Sequence, residues 1–81
     1  MSEVDLEERI QKRCLALAKD LLSVGPQSDN TKELIVRLVR RAFESESAVS
    51  RARSSYDWFI KNKVPNELAW KLSGMEDLVA V

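Results

Sequence analysis

The stretch TKELIVRLVRRAFE, residues 31–44, decides the fold. Set on a helix at about 100° per residue, Leu34, Ile35, Val36, Leu38, Val39, Ala42 and Phe43 cover an arc of about 200°. A surface helix carries an apolar stripe only about half that wide, so this segment is expected to be the central, most buried helix. Strand-forming residues elsewhere are too sparse to build a sheet against it.

N-terminal to it, Gln27-Ser28-Asp29-Asn30 reads as a polar loop, with Asp29 or Asn30 capping the helix before Thr31. A first helix is predicted from Val4 to Val24. Ser2 is its cap, Glu3, Asp5, Glu7 and Glu8 lie near its positive end, and Gly25-Pro26 stops it. Leu6, Ile10, Cys14, Leu17, Leu21 and Val24 form the stripe expected to face inward. Leu15 and Leu22 fall on the opposite side, one heptad apart and in line with Val4 and Gln11. They form a second apolar edge and the candidate dimer interface.

C-terminal to it, Ser45-Glu46-Ser47 interrupts the pattern, as either a turn or a bend. A third helix follows from Ser47 to Asn62, with Ala48, Val49, Ala52, Tyr56, Phe59 and Ile60 directed inward. Val64-Pro65 ends it, Pro65 suits the first turn of a short fourth helix through Leu72, and Gly74 terminates that one. Residues 75–81 add one more turn or lie as an apolar tail. The expectation is an all-α bundle of about four helices (4–24, 31–44, 47–62, 65–72) with a short C-terminal tail. Since separate cores need on the order of 50 residues each, residues 1–81 are read as a single domain.

Thirteen basic and thirteen acidic side chains leave the chain formally neutral, with no bulk field to steer it toward nucleic acid or anionic lipid. Its middle is locally basic: Lys32, Arg37, Arg40, Arg41, Arg51, Arg53, Lys61 and Lys63 stand against Glu33, Glu44, Glu46 and Asp57. Glu33 before Arg37, and Glu44 after Arg40, have the spacing for pairing along a helix surface. Cys14 is the one cysteine and histidine is absent, which excludes an intramolecular disulfide and the usual metal cages. No apolar run is long enough to span a membrane and no targeting signal stands out, so a cytoplasmic protein is expected.

Nothing here assembles a catalyst. The carboxylates are scattered, and Ser45, Ser47, Ser50, Ser54 and Ser55 have no histidine to activate them. Gly25 and Gly74 are too few for a phosphate loop. No enzyme, cofactor, metal or small-molecule substrate is expected. Cys14, on the inward stripe, reads as a small core residue. Trp58 is the most informative residue: measured from Val49 it lies at about 180°, on the polar face beside Arg51, Ser47, Ser54 and Lys61. It is either covered by the tail or the first helix, or held out for a partner. Trp and Arg are the typical anchors of interfaces, which makes Trp58, Arg51 and Ser54 the candidate partner-binding residues. Trp70 reads as core.

From Leu38 to Arg51 the chain runs LVRRAFESESAVSR, and its second half resembles the start of the recognition helix in phage and bacterial repressors of the helix-turn-helix family. The register of Leu38, Ala42, Ala48 and Val49 is similar to that family's buried positions. KVPNELAWKLSG, residues 63–74, is similar to the helix that follows in its Cro-like branch. Phe43 and Glu44 stand where the family has a turn glycine and an apolar residue. The resemblance implies DNA contacts by Ser45, Ser47, Ser50 and Arg51 in the major groove.

The leading expectation is a small, non-enzymatic helical protein-interaction module that acts as a regulator, adaptor or inhibitor, as a homodimer, with another protein as partner. One alternative is a helix-turn-helix DNA-binding regulator. Another is a structural subunit of a larger assembly, docked through Leu78, Val79 and Val81.

Overall fold

The computed structural model describes residues 3–24 and 28–79, and every regular element among them is a helix. In chain order these are α1 (Glu3–Leu22), α2 (Asp29–Ala42), α3 (Ala48–Lys61), α4 (Asn66–Ser73) and α5 (Met75–Val79). The protein is all-α, as composition and periodicity predict. Its contacts group the helices into two units, Met1–Ala42 and Phe43–Val81.

In the first unit α1 packs along α2, and the short connection between them makes an αα-hairpin. α2 begins two residues earlier than predicted. Its cap is neither Asp29 nor Asn30 but Ser28, whose Oγ accepts the Thr31 N–H at 3.3 Å while its carbonyl accepts the Lys32 N–H at 3.0 Å. Asp29 becomes a first-turn residue, where a carboxylate favours the helix dipole. The Ser2 cap and the Gly25-Pro26 stop fall outside the described residues. Ile35, Val39 and Ala42 are buried, Val36 and Leu38 half-buried, and Leu34 exposed. Phe43, just past the end of α2, is buried as well, so the predicted segment 31–44 places Ile35, Val39, Ala42 and Phe43 inside, against Ala52, Ser55 and Phe59 for 47–62.

The inward face of α1 also differs from expectation. Cys14 and Ala18 are buried, whereas Leu6, Leu17 and Val24 of the predicted stripe are exposed. On the wheel, Cys14 and Ala18 lie about 80° and 120° from Leu6, so the buried line is rotated by roughly 60° from the predicted one. Small residues on the contact line allow the two backbones to approach. They also leave Ile10 and Leu21 on one flank and Leu15 and Leu22 on the other, all half-buried. The predicted orientation would have left Leu15 and Leu22 in water. The two apolar edges are thus two flanks of one face centred on Ala18.

In the second unit α3 packs on α4 and α5, and α4 on α5. The break after α2 is a turn rather than a bend: the Glu46 N–H donates to the Phe43 carbonyl at 3.0 Å. Ser47 is extended (φ −61°, ψ 159°) and caps α3, its Oγ accepting the Ser50 N–H. The inward line of α3 is Ala52, Ser55 and Phe59, while Val49 and Ala48, predicted inward, are exposed. A buried serine tilts the face because its hydroxyl is satisfied locally, Ser55 Oγ donating to the Arg51 carbonyl at 2.7 Å.

α3 ends in a Schellman arrangement. The Val64 N–H donates to the Phe59 carbonyl at 3.0 Å and the Lys63 N–H to the Ile60 carbonyl at 3.1 Å. That geometry needs a left-handed residue, and Lys63 takes it with φ 64° although glycine is the usual occupant. Val64 and Phe59 are both buried, the apolar pairing that accompanies this motif. Pro65, predicted in the first turn of α4, stands just before it as the N-cap residue (φ −53°, ψ 141°), and Gly74, at φ 87°, ends the helix as predicted. Ser73 Oγ donates to the Trp70 carbonyl and accepts the Met75 N–H, linking α4 to α5. The predicted tail is therefore helical through Val79; Val81 falls outside the described residues. Trp70, expected in the core, is half-buried.

Candidate functional site

Trp58 is neither covered nor fully displayed. With Ala52, Ser55 and Phe59 marking the inward line of α3, Trp58 lies about 90° from it, on the flank rather than in the middle of the polar face. The centre of the polar face belongs to Ser50, Arg53, Asp57 and Lys61, all exposed. The half-buried indole of Trp58 meets the ring of Phe59 at 5.5 Å and 74°, an edge-on contact that contributes about 1 kcal/mol beyond the area it buries. Its carbonyl accepts Asn62 Nδ2 at 2.8 Å. Arg51, one heptad earlier on the same flank of α3, is half-buried, and Ser54 Oγ donates to the Glu46 carboxylate at 2.9 Å. Trp58 and Ser54 therefore have local structural work in the second unit.

Of the residues that the helix-turn-helix resemblance implies, Ser45 and Ser50 are exposed, Ser47 is occupied as the α3 cap, and Arg51 is half-buried. The expected Glu33–Arg37 pair forms at 3.4 Å on the exposed face of α2. In the fifth helix Leu78 and Val79 are exposed.

Two features of the structure lie outside the sequence-based expectations. The first is an apolar edge on the helical hairpin. Leu6 and Leu17 lie roughly 90° to one side of the buried line of α1, and Leu34 lies roughly 110° to one side of that of α2. Because the angular senses of two antiparallel helices mirror one another, these displacements bring all three leucines to the same side of the hairpin. Leu6, Leu17 and Leu34 are 55%, 46% and 45% exposed, and the half-buried Ile10, Leu21 and Leu38 lie between them and the buried line.

The second is an open groove of about 380 Å³ in the second unit, lined by Tyr56 of α3 and Asn66, Glu67, Trp70 and Lys71 of α4. The rings of Tyr56 and Trp70 stand perpendicular, centroids 5.7 Å apart. Glu67, Trp70 and Lys71 occupy positions i, i+3 and i+4, which puts them on one face of α4. That spacing was visible in the sequence. Its meaning depended on Tyr56 arriving from another helix.

Among the described residues no group of three or more histidine, cysteine or acidic side chains is disposed to hold a metal, and no helix is long and apolar enough to cross a membrane. Comparisons with protein-family models, with curated proteins and with solved structures find no match to this chain.

Proposed function

We propose that this protein is a small helical interaction module that self-associates through the leucine edge of its first unit and acts, without chemistry of its own, as a regulator or adaptor of a partner protein. The carrying observation is the alignment of Leu6, Leu17 and Leu34 on one side of the hairpin, each about half exposed. Large apolar side chains scattered singly need no explanation, but several on one side of a hairpin, with the half-buried Ile10, Leu21 and Leu38 beside them, favour a contact surface. The single buried thiol, Cys14, suits a reducing compartment, and the cytoplasm is the location we infer.

Magnitude limits the strength of this association. Burying the exposed half of a leucine contributes on the order of 1 kcal/mol, so three leucines from each of two copies supply about 6 kcal/mol. Lost translational and rotational freedom opposes this by at least about 4 kcal/mol. The net of about 2 kcal/mol corresponds to a dissociation constant of tens of millimolar, so a dimer at micromolar concentration draws most of its free energy from the surface around the three leucines, the half-buried Ile10, Leu21 and Leu38 included.

Sedimentation equilibrium of the wild type and of Leu6→Arg/Leu17→Arg tests the reading. The wild type should be a concentration-dependent dimer and the variant a monomer of unchanged helicity. A monomeric wild type at high micromolar concentration contradicts it. DNA retarded at low salt, and released by Arg51→Ala, would instead favour the helix-turn-helix reading.

A further inference from the structure

The groove between Tyr56 and Trp70 is made of residues separate from the leucine edge, and its lining has a lopsided hydrogen-bonding character. Trp70 Nε1–H and Lys71 Nζ can only donate, the Tyr56 hydroxyl and the Asn66 carboxamide can donate or accept, and Glu67 can only accept. Among the described residues, no hydrogen bond or ion pair engages the side chains of Tyr56, Glu67, Trp70 or Lys71; their one contact of note is the perpendicular pairing of the two rings. A peptide in ordinary extended form offers the same carbonyls but adds a backbone N–H at each residue, for which Glu67 is the only dedicated acceptor in the lining. A prolyl segment offers carbonyls and no N–H. Its polyproline II helix exposes the carbonyls on a stiff rod that loses little entropy when it binds a shallow surface, and its pyrrolidine rings pack well on aromatic faces.

We infer that this groove binds a proline-rich peptide segment carrying a basic side chain beside its prolines. Perpendicular Tyr56 and Trp70 rings form a corner for the pyrrolidines, and the indole N–H, the phenol and Lys71 donate to the peptide carbonyls. Glu67 finds no donor in a prolyl backbone, so an arginine or lysine of the ligand completes the site. The same lining argues against two other guests. Lys71 repels an isolated quaternary ammonium, and Glu67 repels the phosphates of a stacked single strand with only one cation in the groove to offset it.

The test is a titration of isotopically labelled protein with a synthetic oligoproline peptide ending in arginine, read at the indole N–H resonances of the two tryptophans. A matched peptide with glycine and serine in place of the prolines, an arginine-free oligoproline and a single-stranded oligothymidine serve as comparisons. The Trp70 resonance should move with the oligoproline-arginine peptide and remain still with the glycine-serine peptide, while Trp58 is unaffected. Tyr56→Phe keeps the ring and should weaken binding roughly 2- to 10-fold. Glu67→Gln, at an exposed position, should abolish the preference for the arginine-bearing peptide over the arginine-free one. The proposal is overturned if Trp70 does not respond at millimolar peptide or responds equally to the glycine-serine peptide. Insensitivity to both substitutions overturns it too, as does movement of Trp70 with oligothymidine alone.

Discussion

Replacing Lys63 by glycine should stabilise the protein, because the Schellman turn after α3 holds a residue with a Cβ at φ 64°. The left-handed conformation costs such a residue about 1–2 kcal/mol, whereas glycine adopts it freely. Glycine also gains freedom in the unfolded chain, which returns roughly 0.5–1 kcal/mol of that advantage. The net expectation for Lys63→Gly is a gain of about 0.5–1 kcal/mol. With a urea m-value near 1 kcal/mol/M, typical of so small a unit, the midpoint should rise by about 0.5–1 M with no change of slope. Trp58 and Trp70 both lie in the same unit as Lys63, so their fluorescence is the appropriate signal. Lys63→Ala is the control: it retains the Cβ and removes only an exposed ammonium, so its midpoint should stay near that of the wild type. An unchanged or lowered midpoint for Lys63→Gly, or an equal rise for Lys63→Ala, would refute the assignment of strain to this residue.

Further substitutions probe the rest of the fold. Phe59→Ala removes a side chain with no exposure at all from the second unit and should cost about 3–5 kcal/mol, measured by the same unfolding curve. Ser28→Ala and Ser47→Ala each delete the hydroxyl that caps a helix. Circular dichroism melts should show a loss of about 1 kcal/mol for each, and no loss would mean that the caps are dispensable. Ser55→Ala should lie within about 0.5 kcal/mol of the wild type, since the Arg51 carbonyl it releases belongs to the helical ladder and alanine is the better helix former. A much larger loss on Ser55→Ala would show that the buried hydroxyl has a role beyond local satisfaction.

Helix number and type were legible in the sequence, because long apolar periodicities, Pro65 and Gly74 speak through local chain physics. Faces were harder to read. A wheel weighted by hydrophobicity counts Ser55 as polar and Ala18 as weak, yet both lie on buried lines. Ser55 can do so because its hydroxyl turns back on its own helix, and Ala18 because a small side chain allows the backbones to approach. Those two errors rotated the predicted faces of α1 and α3. Such a wheel consequently places Leu6 and Leu17 in the core and Trp58 at the centre of a polar face. The end of α3 shows a different gap: a left-handed lysine carries no sequence signature, since only tertiary geometry, with Val64 folded back over Phe59, imposes it. The groove required side chains from two helices to meet, which spacing along one helix does not reveal.

The leucine edge can be examined directly through the methyl resonances of the leucines, followed as the protein is diluted from millimolar to micromolar concentration. The methyl groups of Leu6, Leu17 and Leu34 should shift together with dilution, while those of Leu68 and Leu72 in α4 stay fixed. Resonances of Leu6, Leu17 and Leu34 that do not change over that range, or shifts confined to Leu68 and Leu72, would contradict association through this edge.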